Sequence, residues 1–273
     1  MSIPSLIETW DSIFYSLCNV VTDILCLFQI PKYSKLFSKN KELKDSHKGE
    51  RCFVVMNGPS LNEHDLTPLQ DEIVLCSNYF YRSEETVKKT KPNFYIWADS
   101  KLFLNQEKTQ TVLSEIREAC PNAKMIFNYH AYGLIGNQDD MYYSYCKHLP
   151  NSFKIRSNYT FSVSNFMTVA FHAINAAIYM GFSEIYVMGL DFEPGGFKHF
   201  ADLKSNPWKP SEKQSKEEVA GLHWGYAKAQ YESYELADHA RKKGVKIINL
   251  NPQSNIRAFE FGSYEELFAG TTK

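Results

Sequence analysis

Apolar positions in the first thirty residues recur at helical spacing. Ile7, Trp10, Ile13, Phe14, Leu17, Val21, Ile24, Leu25 and Leu27 share one side of a helix. Asp11 and Asp23 interrupt the apolar stretch, no basic residue precedes it and no small-residue cleavage site follows it. The pattern therefore predicts an amphipathic helix rather than a signal peptide or a membrane span. Residues 32–51 then carry seven Lys or Arg against three acids. From Cys52 onward short apolar runs alternate with helical segments. The runs 52–56, 72–77, 93–99, 124–128, 184–191 and 246–251 read as buried strands, and helices fit at 105–119, 163–180 and 223–243. That alternation predicts an α/β fold with a Rossmann-like, doubly wound and mostly parallel sheet, in which ligands bind just beyond the carboxyl ends of the strands.

Two parts follow from the pattern: residues 1–50, an amphipathic helix and basic linker, and residues 51–273, an α/β domain. Two readings of the first part stand. An apolar-faced helix followed by basic residues can lie peripherally on an anionic leaflet, or it can pack on its own domain or on a partner subunit. Composition narrows the second part. Hydrophobic residues make up 44% and charged residues 22%, enough for a sizeable core and against disorder. A net charge of −1 offers no basic field for nucleic acid, which is not expected as a partner. Six scattered cysteines lack zinc-ligand spacing and read as reduced core thiols of a cytoplasmic protein.

Candidate chemistry gathers at strand ends. Asn57, Gly58, Pro59 and Ser60 follow the first strand: glycine allows close approach to a ligand, proline fixes the turn, and Ser60 can cap a helix whose amides face a phosphate. The stretch is neither G-x-G-x-x-G nor a P-loop, which disfavours a dehydrogenase or P-loop kinase. Asn78 and Asp99 end the next two strands, so three successive strand ends carry amide or carboxyl groups suited to base edges and hydroxyls. Ser162 and Ser164 precede the long apolar helix, where capping and an anion both fit, and His172 inside that helix reads as a packed core histidine. Gly189 and Asp191 end the 184–191 strand, with Glu193 and His199 beyond. Residues 201–222 are polar and proline-containing, as lids are, and His223 at their edge has the intrinsic pKa of a general base.

The series VVMNGPSL, CSNYFY, MGFSEIYVMGLDF and KIINLNPQS, spanning roughly residues 51–260, resembles the bacterial sialyltransferases of glycosyltransferase family 42 and the related domain of flagellin motility accessory factors. The resemblance implies that residues 51–273 form a nucleotide-sugar-binding catalytic domain with a variant of the GT-A-like Rossmann fold. It also implies an inverting, metal-independent enzyme that uses a CMP-activated sialic acid, related nonulosonic acid or Kdo. By position, Asn57, Gly58, Pro59 and Ser60 would line the cytidine monophosphate site, and Asn78 would face the donor sugar or phosphate. Asp99 would lie beside them. Ser162 or Ser164 would stand for the helix-start serine, Gly189, Asp191 and Glu193 for the pocket under the nucleotide, and His223 for the base that deprotonates the acceptor. His199 falls where the family has a phosphate-side tyrosine, with Tyr226 near the second, and Arg156 is a further candidate for holding the phosphate. No cofactor and no metal site are implied. The partners implied are the nucleotide-sugar donor and a glycan acceptor of the lipopolysaccharide or capsule type; further copies of the chain as a homo-oligomer are also expected, and the expected location is cytoplasmic, with peripheral contact on the inner membrane where residues 1–50 dock on lipid. Two other classes remain open: a Mg²⁺-dependent phosphotransferase or pyrophosphokinase with Asp99 and Asp191 as ligands, and a non-catalytic scaffold of polysaccharide assembly.

Overall fold

A computed structural model describes residues 34–146, 155–192 and 215–269, together with scattered positions between 10 and 28. Nine strands form one sheet: β1 (Arg51–Val55), β2 (Val74–Ser77), β3 (Phe94–Trp97), β4 (Lys124–Asn128), β5 (Met141–Cys146), β6 (Ser162–Val163), β7 (Glu184–Met188), β8 (Lys246–Asn249) and β9 (Glu260–Phe261). Their order is β6-β5-β4-β3-β2-β1-β7-β8-β9, and every pairing is parallel. The chain steps outward from β1 to β6, returns across the sheet, and places β7 on the other side of β1. The strand order therefore reverses between β1 and β7, where Rossmann-type sheets open a crevice.

Side chains of β1 divide by the period of two that a pleated strand imposes. Phe53 and Val55 join a buried cluster with residues of the Glu84–Thr90, Gln106–Ala119 and Tyr264–Phe268 helices. Cys52 and Val54 join a second cluster, under the helices Val169–Met180 and Lys216–Lys242. Both faces are covered, which is why these strands read as continuous apolar runs rather than alternating ones.

Three strands went unpredicted. β5 has the sequence MYYSYC, whose six residues are all buried; two of its three tyrosines place their hydroxyls on acceptors in the fold, Tyr142 on Glu42 and Tyr143 on the Gly136 carbonyl. β6 and β9 have only two residues each. Residues 34–50 belong to the folded body rather than to a solvated linker. Leu36, Phe37, Asn40 and Leu43 are buried, and Asn40 Nδ2 donates to the carbonyls of Tyr143 at 2.7 Å and Tyr159 at 2.6 Å. Four cysteines, Cys52, Cys76, Cys120 and Cys146, are buried free thiols; burial pushes those of Cys120 and Cys146 up to about 12.

Two helix starts differ from expectation. The 163–180 helix begins at Val169, because Thr168 caps it and Ser162–Val163 pairs with β5 instead. The last long helix begins at Lys216, so residues 216–222 are helical rather than loop. Residues 201–214 of the expected lid lie outside the described residues.

His172 is the core histidine the sequence implied: it is 5% exposed, and its Nε2 accepts the Phe166 N–H at 3.2 Å. Burial lowers its pKa from 6.5 to about 4. Between those values the unfolded chain holds a proton that the folded chain does not, so stability falls as pH drops from 6.5 towards 4 and levels off below that. Half-buried His239 is shifted in the same direction, by desolvation first and by Lys243 and Lys242 after it. Urea unfolding at pH 7 and pH 4.5 is expected to show an acid-side loss in which His172 contributes ~3 kcal/mol. His172→Gln, which keeps an acceptor but does not titrate, is expected to remove that share; an unchanged pH slope would show that His172 is not a source.

Candidate functional site

At the switch point β1 and β7 stay in contact beyond their last residues. The Met56 N–H donates to the Met188 carbonyl at 2.9 Å and the Gly58 N–H to the Gly189 carbonyl at 2.8 Å. Neither glycine has room for a side chain. A Cβ on Gly58 would stand 2.5 Å from both Asp191 Oδ2 and the Gly189 carbonyl, and one on Gly189, whose φ is +63°, would stand 2.5 Å from the Met56 carbonyl. Backbone meets backbone here, which only glycine permits.

Pro59 then opens a five-residue 3₁₀ turn, Pro59–Glu63, not an α-helix. Asp191 closes the arrangement. Its carboxyl oxygens accept from the Ser60 N–H at 2.9 Å, from the Ser60 hydroxyl, and from Asn251 Nδ2 at 2.7 Å. The expectation that Ser60 caps a helix and offers amides to phosphate is thereby corrected: the Ser60 N–H and Oγ are both spent on Asp191. Asn251 stands just past β8, so one buried carboxyl group ties together the loops after β1, β7 and β8. The Asn255 N–H donates to the Asp191 carbonyl at 3.0 Å, and Gln230 of the long helix donates to the Asn255 carbonyl at 2.8 Å.

Along the same carboxyl edge Asn57, Asn78, Asp99 and Asn128 end or follow the adjacent strands β1 to β4, whose spacing is ~4.8 Å. Asn57 Nδ2 donates to the Ser77 carbonyl at 3.2 Å. Asn78 has φ +54°, an uncommon conformation for a residue with a side chain, and Tyr95 donates its hydroxyl to the Asn78 carbonyl. Asn78 Oδ1 and the Trp97 Nε1–H are buried without a partner among the described residues. A buried polar atom left this way costs ~1–3 kcal/mol unless a ligand or water meets it. Asp99 accepts the Lys101 N–H at 2.9 Å.

Sequence reasoning passed over three residues here. Asn128 bridges β3 and β4, donating to the Ala98 carbonyl at 3.0 Å while its Oδ1 lies 2.7 Å from His130 Nδ1. It ends its strand as Asn57 and Asn78 do, and that signal was available. Tyr79 packs edge-on against Trp97 at 5.2 Å, and Arg82 lies 4.5 Å over the Tyr79 ring, placing a cation one turn past Asn78. Burial raises the Tyr79 pKa; Arg82 opposes the rise, and Asp99 and Glu115 reinforce it. No pattern in the sequence marks Arg82.

The remaining predicted residues are not all brought together. Ser162 sits on the outermost strand β6, five strands from β1. Ser162 and Ser164 are fully buried and engage Arg156: Ser164 Oγ accepts the Arg156 N–H at 2.9 Å and Ser162 Oγ lies 3.4 Å from the guanidinium. They stand upstream of the helix start rather than on it. Glu193 and His199 lie outside the described residues. His223 is exposed within the Lys216–Lys242 helix, not at a hinge. One helical turn on, Tyr226 stacks on Phe192 at 5.0 Å, and Phe192 directly follows Asp191. That stack joins the helix segment carrying His223 to the switch point.

Among the described residues no group of three or more His, Cys, Asp and Glu side chains could hold a metal ion, and no helix is long and apolar enough to cross a membrane. A nine-stranded parallel sheet whose strand order reverses between β1 and β7, with helices packed on both faces, defines the class: a Rossmann-like α/β fold.

Within that class the fold is similar to that of the sialyltransferase CstII from Campylobacter jejuni, solved with the substrate analogue cytidine-5′-monophosphate, at a TM-score of 0.50 and 19% identity over 78% of this chain and 85% of that one. A structure of CST-II with a trisaccharide acceptor and CMP gives 0.47 and 18% over 78% and 85%. The monofunctional α-2,3-sialyltransferase Cst-I from Campylobacter jejuni gives 0.41 and 19% over 78% and 79%. No protein-family model and no curated protein matches the chain.

Proposed function

We propose that this chain is a glycosyltransferase that takes a sugar from a CMP-activated donor, a sialic acid or a related nonulosonic acid or Kdo, and transfers it with inversion and without a metal to a bacterial surface glycan. The observation that carries the reading is the Asp191 clasp. It holds the Asn57-Gly58-Pro59-Ser60 turn against the ends of β7 and β8 at the switch point of a fold shared with a CMP-bound sialyltransferase.

In this reading the enzyme's work is positioning, stabilisation of the leaving phosphate and one proton removal, since a tertiary anomeric centre bearing a phosphate ionises readily. The Asn57–Asn128 row supplies amide and carboxyl groups for the cytosine and the sugar hydroxyls, and Asn78 Oδ1 accepts a donor hydroxyl. Arg82 supplies charge on the phosphate side. His223 takes the acceptor proton. The phosphotransferase reading is weaker because it needs Asp191 as a metal ligand, and both Asp191 oxygens are already committed to Ser60 and Asn251.

The direct test is turnover. Purified chain is incubated in EDTA with CMP-sialic acid and a panel of galactose-terminated and lipid-A-core acceptors, and CMP release and product configuration are followed by NMR. Acceptor-dependent CMP release with an inverted product is expected. Release only in the presence of Mg²⁺, or none above donor hydrolysis with CMP-sialic acid, CMP-Kdo and other CMP-nonulosonic acids alike, would sink the reading.

A further inference from the structure

Asn78 and Trp97 stand at neighbouring positions of adjacent strands. The parallel register that pairs Ser77 with Ile96 brings Asn78, one residue on, beside Trp97 across a ladder spacing of about 4.8 Å. The Tyr95 hydroxyl, two residues before Trp97 and in the same buried cluster, donates to the Asn78 carbonyl and accepts the Tyr81 N–H at 3.1 Å. The turn after β2 is thereby fixed against β3. Yet the two side chains leave opposite polarities unmet. The Trp97 Nε1–H is a donor and Asn78 Oδ1 an acceptor, and both are buried without a hydrogen-bond partner among the described residues.

Packing alone does not account for either residue. Trp97 is 3% exposed and lies against Tyr79 at 5.2 Å and Phe127 at 6.4 Å. Among such rings a phenylalanine would fill an apolar position and bring no donor to satisfy, and a glycine would take the φ of +54° that Asn78 holds without strain. Two departures from local preference at one place point to a position kept for a ligand rather than for folding.

The polarities select the ligand group. Phosphate and carboxylate oxygens accept but do not donate, so they meet the indole and leave Asn78 Oδ1 unmet; ammonium and guanidinium groups donate but do not accept. A hydroxyl does both from one atom, taking the indole N–H on its oxygen and giving its hydrogen to Asn78 Oδ1. Tyr79 is partly exposed, follows Asn78 directly, lies edge-on to Trp97 and sits at the kink of the Asn78–Arg82 3₁₀ turn, so its swing would uncover the pair to such a group.

We propose that Trp97 is a specificity-determining residue that, together with Asn78 Oδ1, reads one hydroxyl of the donor sugar rather than the phosphate. The inference rests on the glycosyltransferase reading above and adds to it a residue and the group it reads.

Indole ¹H–¹⁵N spectra of the full chain test it. Trp10, Trp97, Trp208 and Trp224 are its tryptophans, so Trp97→Phe identifies the Trp97 resonance, and Trp10→Phe, Trp208→Phe and Trp224→Phe identify it by elimination where that variant does not fold. CMP-sialic acid and CMP-Kdo, each fluorinated beside the anomeric carbon so that the sugar resists ionisation, serve as intact donors. One of them is expected to move the Trp97 N–H resonance downfield, while CMP alone leaves it in place. Folded Trp97→Phe is expected to bind that donor ~10-fold or more weakly with CMP affinity unchanged. A Trp97 resonance that neither donor moves, while CMP raises the thermal midpoint, overturns the proposal, leaves the indole to an ordered water and spares the glycosyltransferase reading. A resonance that moves as far with CMP alone, or a Trp97→Phe chain with wild-type donor affinity, overturns it as well. If neither CMP nor a donor binds, both readings fall together.

Discussion

Asp191→Ala is expected to lower stability by about 3–5 kcal/mol, because it strands the Ser60 N–H, the Ser60 hydroxyl and Asn251 Nδ2 without their shared acceptor inside the fold. In a chain of this size that corresponds to a fall in melting temperature of roughly 10 °C. Asp191→Asn is the sharper probe. It preserves shape but turns one acceptor oxygen into an NH₂ facing groups that are already donors, so most of the loss is expected to remain. A carboxyl group that merely touched solvent or ligand would tolerate the amide. Both variants are also expected to lose nucleotide affinity more than tenfold, since the turn that carries Asn57 and Gly58 is held by this group. Chemical denaturation followed by CMP titration of whatever folds measures both effects, and an Asp191→Asn protein with wild-type stability would contradict the clasp.

Loss of the His223 imidazole is expected to act on rate alone. His223 is exposed and packs little, so His223→Ala should change stability by under ~0.5 kcal/mol. As the group that removes the acceptor proton, its loss should lower transfer ~10²–10⁴-fold while CMP affinity stays near wild type. Steady-state kinetics alongside CMP titration separate the two. Transfer within a few-fold of wild type would remove His223 from the mechanism and leave Tyr226, one turn away and stacked on Phe192, as the group to test next.

The fold was legible where each buried run includes branched aliphatic residues or several methionine and phenylalanine side chains. β1 to β4, β7 and β8 are runs buried on both faces, and periodicity finds such runs. β5 escaped because its burial is carried by tyrosines, whose hydroxyls depress hydropathy while their rings fill the core; its aromatic content was the available signal. The start of the Val169–Met180 helix was misplaced because several Ser, Thr and Asn residues precede it and each could cap, and only tertiary pairing of Ser162 with Tyr145 decides among them. At the site, Asn57, Gly58, Ser60, Asn78, Asp99, Gly189 and Asp191 were readable as strand-end residues. What Asp191 does was not, because its partners Ser60 and Asn251 lie 131 and 60 residues away. Residue type suggested a ligand contact; geometry makes Asp191 the tie between three loops.

Thermal unfolding in the presence of CMP, UDP, GDP or ATP, each with EDTA and with Mg²⁺, tests the central claim that the switch-point crevice takes a cytidine nucleotide without a metal. CMP at a hundredfold excess over its dissociation constant is expected to add ~2.7 kcal/mol, a rise of about 5–10 °C, unchanged by EDTA and not matched by the other nucleotides. A rise only with ATP and Mg²⁺, or no rise with any of the four, would contradict it.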